Sequence, residues 1–80
     1  MTSYIIKSTR IKSTNPKYLN QIRYFGGYID LGALGQSEHW VYEKEAKEFG
    51  INEANQLLNI FIHNDRKSNS YQFEILPIKK

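Results

Sequence analysis

His39 and His63 are the side chains best suited to move a proton or bind a metal near neutral pH, and neither lies in an H-x-x-x-H or comparable ligand spacing. The chain has no cysteine, so a zinc-thiolate set, a disulfide framework and a thiol nucleophile are all excluded. His63 suits the C-terminal turn of a helix, where the dipole favours a cation, and His39 reads as a strand surface group. Ser8, Ser13, Ser37, Ser68 and Ser70 have no G-x-S-x-G setting and no adjacent base. Glu43, Glu45, Glu48 and Glu53 are interleaved with lysines, and the pair Glu43–Lys47 at i, i+4 supports a helix without invoking catalysis. Gly26-Gly27 lacks the phosphate-loop pattern and a following helix. These residue types argue against an enzyme and call for no cofactor and no metal.

One segment gathers a basic residue, aromatics and glycines: Arg23-Tyr24-Phe25-Gly26-Gly27-Tyr28. With Ile29, Leu31 and Leu34 it reads as a loop-like insert, and Arg23, Tyr24, Phe25, Tyr28, Leu31 and Leu34 are candidate partner-binding residues, since Tyr and Arg anchor many interfaces. The same aromatics beside Arg23 could stack on bases, although the order of glycines and aromatics does not match the RNP1 pattern. Charge is uneven. Residues 1–23 carry Lys7, Arg10, Lys12, Lys17 and Arg23 with no acid, whereas residues 38–53 carry five glutamates against Lys44 and Lys47. The N-terminal five are candidate nucleic-acid contacts.

The elements that must hold these residues follow from hydropathy pattern. Tyr4–Thr9 is a β-branched run with strand character, extendable to Ile11. Ser13-Thr14-Asn15-Pro16 breaks it, and Lys17-Tyr18-Leu19 could begin a second strand. Ile22, Tyr24 and Tyr28–Leu31 could pair as a hairpin across a Gly26-Gly27 turn. Glu38–Tyr42 resumes strand character, with Trp40 sharing a face with Glu38. Strong helix formers over 43–49 predict a short helix stopped by Gly50. Asn52 fits an N-cap for the main helix, about 53–63, whose Ala54, Leu57, Leu58 and Phe61 recur at i, i+3, i+4 and i+7. Residues 63–70 are polar and read as a connection. Tyr71–Leu76 alternates as the last strand with Tyr71, Phe73 and Ile75 inward, and Pro77 ends it or marks an edge.

Eighty residues allow one domain, 1–80, with a stability of roughly 4–8 kcal/mol. The pattern predicts a two-layer α+β fold: an antiparallel sheet of three to five strands with the main helix and the short preceding helix on one face. The expected core is Ile5 or Ile6, Leu19, Trp40, Ala46, Phe49, Ala54, Leu57, Leu58, Phe61, Phe73 and Ile75. If fully buried, Leu58 or Phe61 would be worth about 2–5 kcal/mol each, leaving Leu58→Ala largely unfolded near about 37 °C. No apolar run approaches the roughly 18 residues of a membrane span, and the start shows no signal-peptide profile, so the expected location is the cytoplasm with no membrane partner.

Tyr4-Ile5-Ile6-Lys7, Lys17-Tyr18-Leu19, Trp40 ahead of Glu45-Ala46-Lys47-Glu48-Phe49, Glu53-Ala54 with Leu57-Leu58, and Phe73-Glu74-Ile75-Leu76-Pro77-Ile78 together resemble small phage and prophage proteins, most without an assigned activity. The likeness spans nearly the whole chain through packing positions, and departs from the usual spacing over Asn20–Ser37. It implies an accessory or counter-defence protein that binds a host protein, in the host cytoplasm if viral. Two other functions remain open: nucleic-acid binding through the basic strand and Arg23–Tyr28, and self-association through an edge strand at 71–76. The first reading requires the main helix to lie across the sheet and to leave the aromatic insert outside.

Overall fold

Ile5 and Ile6 are adjacent in sequence and both are buried. Successive strand residues point to opposite faces, so the first strand is covered on both sides. In the computed structural model, which describes residues 2–79 (79 by its backbone only), β1 (Thr2–Arg10) lies inside a four-stranded antiparallel sheet with β2 (Ile22–Asp30), β3 (Gln36–Val41) and β4 (Tyr71–Lys79), in the order β3-β2-β1-β4. One helix, α1 (Ile51–Asp65), packs on β1 and β4. The fold is α+β, as the periodicity predicts.

Register decides which side chains meet. β1 and β4 pair along their whole length, from Thr2↔Lys79 to Arg10↔Tyr71. β1 and β2 pair only from Lys7↔Tyr24 to Thr9↔Ile22. Beyond that point the strands part, and the segment leading into α1 fills the opening. The Lys47 amide donates to the Phe25 carbonyl at 3.0 Å, while Tyr4 and Phe49 exchange two backbone hydrogen bonds at 2.9 and 2.8 Å. The wedge thus satisfies backbone groups that the split would otherwise leave unpaired in the interior.

The helix-side core is Ile6, Phe25, Phe49, Ala54 and Phe61, flanked by half-buried Tyr4, Trp40, Leu57, Leu58, Phe73 and Ile75. Ile5, Tyr24 and Val41 are buried on the other side, where the 3-10 turn Glu43–Glu45 packs against β2.

Several local expectations are corrected. Lys17-Tyr18-Leu19 is not a strand: Pro16–Tyr18 is a 3-10 turn, with the Asn15 side chain accepting from the Lys17 amide at 3.0 Å. Leu19 is exposed, not core. β1 ends at Arg10, before Ile11. The helix expected over 43–49 forms only the 3-10 turn Glu43–Glu45, so Glu43 and Lys47 are no helical pair. The main helix starts at Ile51 with Gly50 as its cap, not Asn52. Tyr71 is exposed beside the half-buried Phe73 and Ile75.

Gly26-Gly27 is not a hairpin turn either. The pair lies within β2, at a register shift between Phe25 and Tyr28. A Cβ at Gly26 would sit 3.0 and 3.1 Å from the Val41 methyls, and Gly27 has φ +101. This β-bulge bends the strand and frees it from β1. Gly27→Ala is expected to cost about 1–2 kcal/mol, because an L side chain is strained at positive φ. A urea-unfolding midpoint equal to that of the parent protein would contradict this.

Candidate functional site

After the bulge, β2 and β3 continue as a two-stranded arm. Tyr28↔Glu38, Ile29↔Ser37 and Asp30↔Gln36 pair across it, and every residue from Tyr28 to Ser37 is exposed. The tip is built locally. The Asp30 carboxylate accepts from the Gly32 amide at 2.8 Å, the Leu31 amide donates to the Gly35 carbonyl at 2.7 Å, and Gly32 and Gly35 take φ +65 and +89. The tip presents Leu31 (46% exposed) and Leu34 (85%), and the ladder below it carries Tyr28 (46%) and Ile29 (41%).

The six partner-binding candidates therefore divide. Tyr28, Leu31 and Leu34 are presented on the arm. Phe25 is not available: it is 1% exposed at the centre of the helix-side core. Tyr24 is buried on the opposite face, its hydroxyl donating to Glu43 Oε2 at 3.4 Å. Arg23 is spent locally, its guanidinium 4.6 Å from the Tyr42 ring centroid and donating to the Ile22 carbonyl at 2.8 Å. Strand alternation separates Phe25 from Tyr24, while the bulge returns Tyr28 to the face of Phe25, their rings 5.2 Å apart.

Burial raises the Tyr24 hydroxyl above the usual phenol range, and partial desolvation of the half-exposed Tyr28 raises its hydroxyl as well. The Glu43 carboxylate adds to this at Tyr24, with Lys7 opposing it, and Glu38 adds to it at Tyr28. The folded state therefore favours the neutral phenol. That stabilisation is whole below the unfolded value of about 10 and is lost as pH rises through the folded value. Urea midpoints are expected to fall between about pH 9 and about pH 11, with a shallower fall in Tyr24→Phe. Identical slopes for the two proteins would show that Tyr24 is not responsible.

A cavity of about 270 Å³ opens beside the base of the arm, between the sheet and the end of α1. The Trp40, Phe61, Tyr71 and Phe73 rings line it, with the Glu38 and Asp65 carboxylates. Trp40 lies 5.1 Å from Phe61 and 5.9 Å from Phe73 between ring centroids. Trp40 Nε1 donates to Glu38 Oε1 at 3.1 Å, and the other Glu38 oxygen has no hydrogen-bond partner among the described residues. Asp65 is engaged on both oxygens, accepting from Ser68 Oγ and from the Tyr71 amide, each at 2.9 Å. A second, open cleft shares Glu38, Trp40 and Asn64 with this cavity and reaches Tyr28, Gln36 and Ser37 on the arm. From sequence, Glu38 and Trp40 were legible as one face of a strand; the approach of Asp65 and Asn64 was not.

The five basic candidates form no single stripe. Lys7 lies on the face away from α1 and reaches Glu74 at 3.4 Å. Arg10 lies on the helix side, 5.9 Å from the Tyr18 ring centroid and 5.5 Å from that of Tyr71. Lys12 and Lys17 are exposed in the following loop, which is tied to the α1–β4 connection by Ile11 and Lys12 amides donating to the Ser70 carbonyl at 2.8 and 3.3 Å. The connection so tied also carries Arg66 and Lys67.

Among the described residues no group of three or more His, Asp or Glu side chains is placed to hold a metal, and no helix is long and apolar enough to cross a membrane. Comparison of the chain with protein-family models, curated proteins and solved structures finds no match.

Proposed function

We propose that this protein is a non-catalytic binding module that recognises another protein through the β2–β3 arm. The supporting observation is the run Tyr28–Ser37, exposed throughout, with Tyr28 and Ile29 in its ladder and Leu31 and Leu34 on a hydrogen-bonded tip. Clustered exposed apolar groups mark interaction surfaces more often than they occur by chance on a monomer, and a strand-built arm pre-orders them, lowering the entropic cost of docking. An accessory or counter-defence protein of phage type, inhibiting a host protein, belongs to the same proposal and draws on the resemblance in the sequence.

A photo-crosslinking residue at position 34, installed in cells that make the protein, tests it. The expected result is one discrete protein adduct that Leu31→Ser diminishes. No adduct at 34, or the same adducts from a control position at Glu53, would overturn the reading.

Nucleic-acid binding is a second reading, supported by the exposed Lys12 and Lys17 in a loop tied at Ser70 to the connection that carries Arg66 and Lys67. It requires affinity that falls steeply with salt. Self-association through β4 is a third: β4 is an edge strand, although Pro77 removes one of its ladder donors.

A further inference from the structure

We infer that the cavity at the base of the arm receives a lysine or arginine side chain of the partner protein. This rests on the proposed protein-binding role and names the chemistry of the partner's anchor. A cavity of about 270 Å³ stands at the small end of the roughly 300–1,000 Å³ of ligand pockets and has room for one long side chain.

Its chemistry selects a cation. The protein carries eleven Lys and Arg against eight acids, yet among the described residues no Lys or Arg lines the cavity, while Glu38 and Asp65 both do. Asp65 is bound up in the turn after α1, so Glu38 supplies the available charge, with only one of its oxygens hydrogen-bonded, to Trp40 Nε1, among the described residues. Arg10 already sits over Tyr71, which leaves Trp40 and Phe73, both half-buried, as the rings against which an incoming alkyl-ammonium or guanidinium would lie. An aromatic face beside a carboxylate favours a cation twice, through the ring quadrupole and through direct charge attraction. The open cleft continues from the cavity to Tyr28 on the arm, so a partner gripping the arm has a path for such a side chain.

Trp40 is the sole tryptophan, and its fluorescence reports the cavity directly. The probes are N-acetyl-arginine amide and N-acetyl-lysine amide, with N-acetyl-norleucine amide as the neutral isostere. The expected result is a saturable change with the two cationic probes in the millimolar range, at least tenfold weaker binding of norleucine, and a similar loss in Glu38→Gln, which keeps the side-chain shape and an acceptor for Trp40 Nε1. Norleucine binding as tightly as arginine, or no saturable change with either cation, would overturn the inference even if Glu38→Gln does not fold. Glu38→Gln folded with undiminished binding would overturn it as well. A crosslink at position 34 that persists while the cavity ignores cations would fail this inference alone and leave the arm's role standing.

Discussion

Phe25→Ala is expected to leave most of the protein unfolded at ordinary temperature. Phe25 is 1% exposed, and its ring lies 4.8 Å from Phe61, 5.2 Å from Tyr28, 5.4 Å from Trp40 and 5.8 Å from Phe49. Truncating a phenylalanine at such a position costs about 3–5 kcal/mol, against a total of roughly 4–8 kcal/mol for a chain of this size. The loss concentrates where β2, the wedge and α1 converge, so no neighbour can relax into the hole without moving another element. Tyr28→Ala, half-exposed at the root of the arm, is the control, expected to cost less than about 1.5 kcal/mol. Urea unfolding followed by far-UV circular dichroism separates the two. Equal midpoints would remove Phe25 from the centre of the core.

Phe61→Ala is expected to be nearly as damaging, and Leu58→Ala clearly milder. Both positions lie on the apolar arc of α1, and the periodicity alone ranks them together. Phe61 is 2% exposed and packs on Phe25, Trp40 and Phe73, whereas Leu58 is half-buried at the edge of that cluster. About 3–5 kcal/mol is expected for Phe61→Ala and about 1–2 kcal/mol for Leu58→Ala, since the cost scales with what the site buries and how well it can close. Leu58→Ala is therefore expected to stay folded. Trp40 emission would shift in folded Phe61→Ala, because the two rings are in contact. A larger loss for Leu58→Ala than for Phe61→Ala would mean that α1 is rotated about its axis.

What could be read in advance follows from where local and long-range forces agree. The arc Ala54–Phe61 and the alternation Phe73–Ile75 are set by period, and both face the core. Residues 43–49 carry good helix formers, yet helix propensity amounts to tenths of a kcal/mol per residue. Three hydrogen bonds to Phe25 and Tyr4, together with burial of Phe49, outweigh it and draw out the chain after a single 3-10 turn. Gly26-Gly27 misleads for a related reason. Paired glycines signal a turn when only neighbours are considered, and here they permit a bulge whose purpose, room for a segment some twenty residues later, is invisible locally. The candidate contacts are half legible in consequence: Tyr28, Leu31 and Leu34 stand on the arm, while Phe25 turns into the core because its segment is a strand and not a loop.

The bulge also separates two kinds of constraint along β2. Before it, each residue answers to β1, the wedge and the helix; beyond Tyr28, the ladder answers only to β3. Lengthening or shortening the hairpin by matched pairs of residues would keep inward and outward positions in phase and leave the body undisturbed. Its apex is accordingly a graftable element, open to new sequence without renegotiating the rest of the molecule.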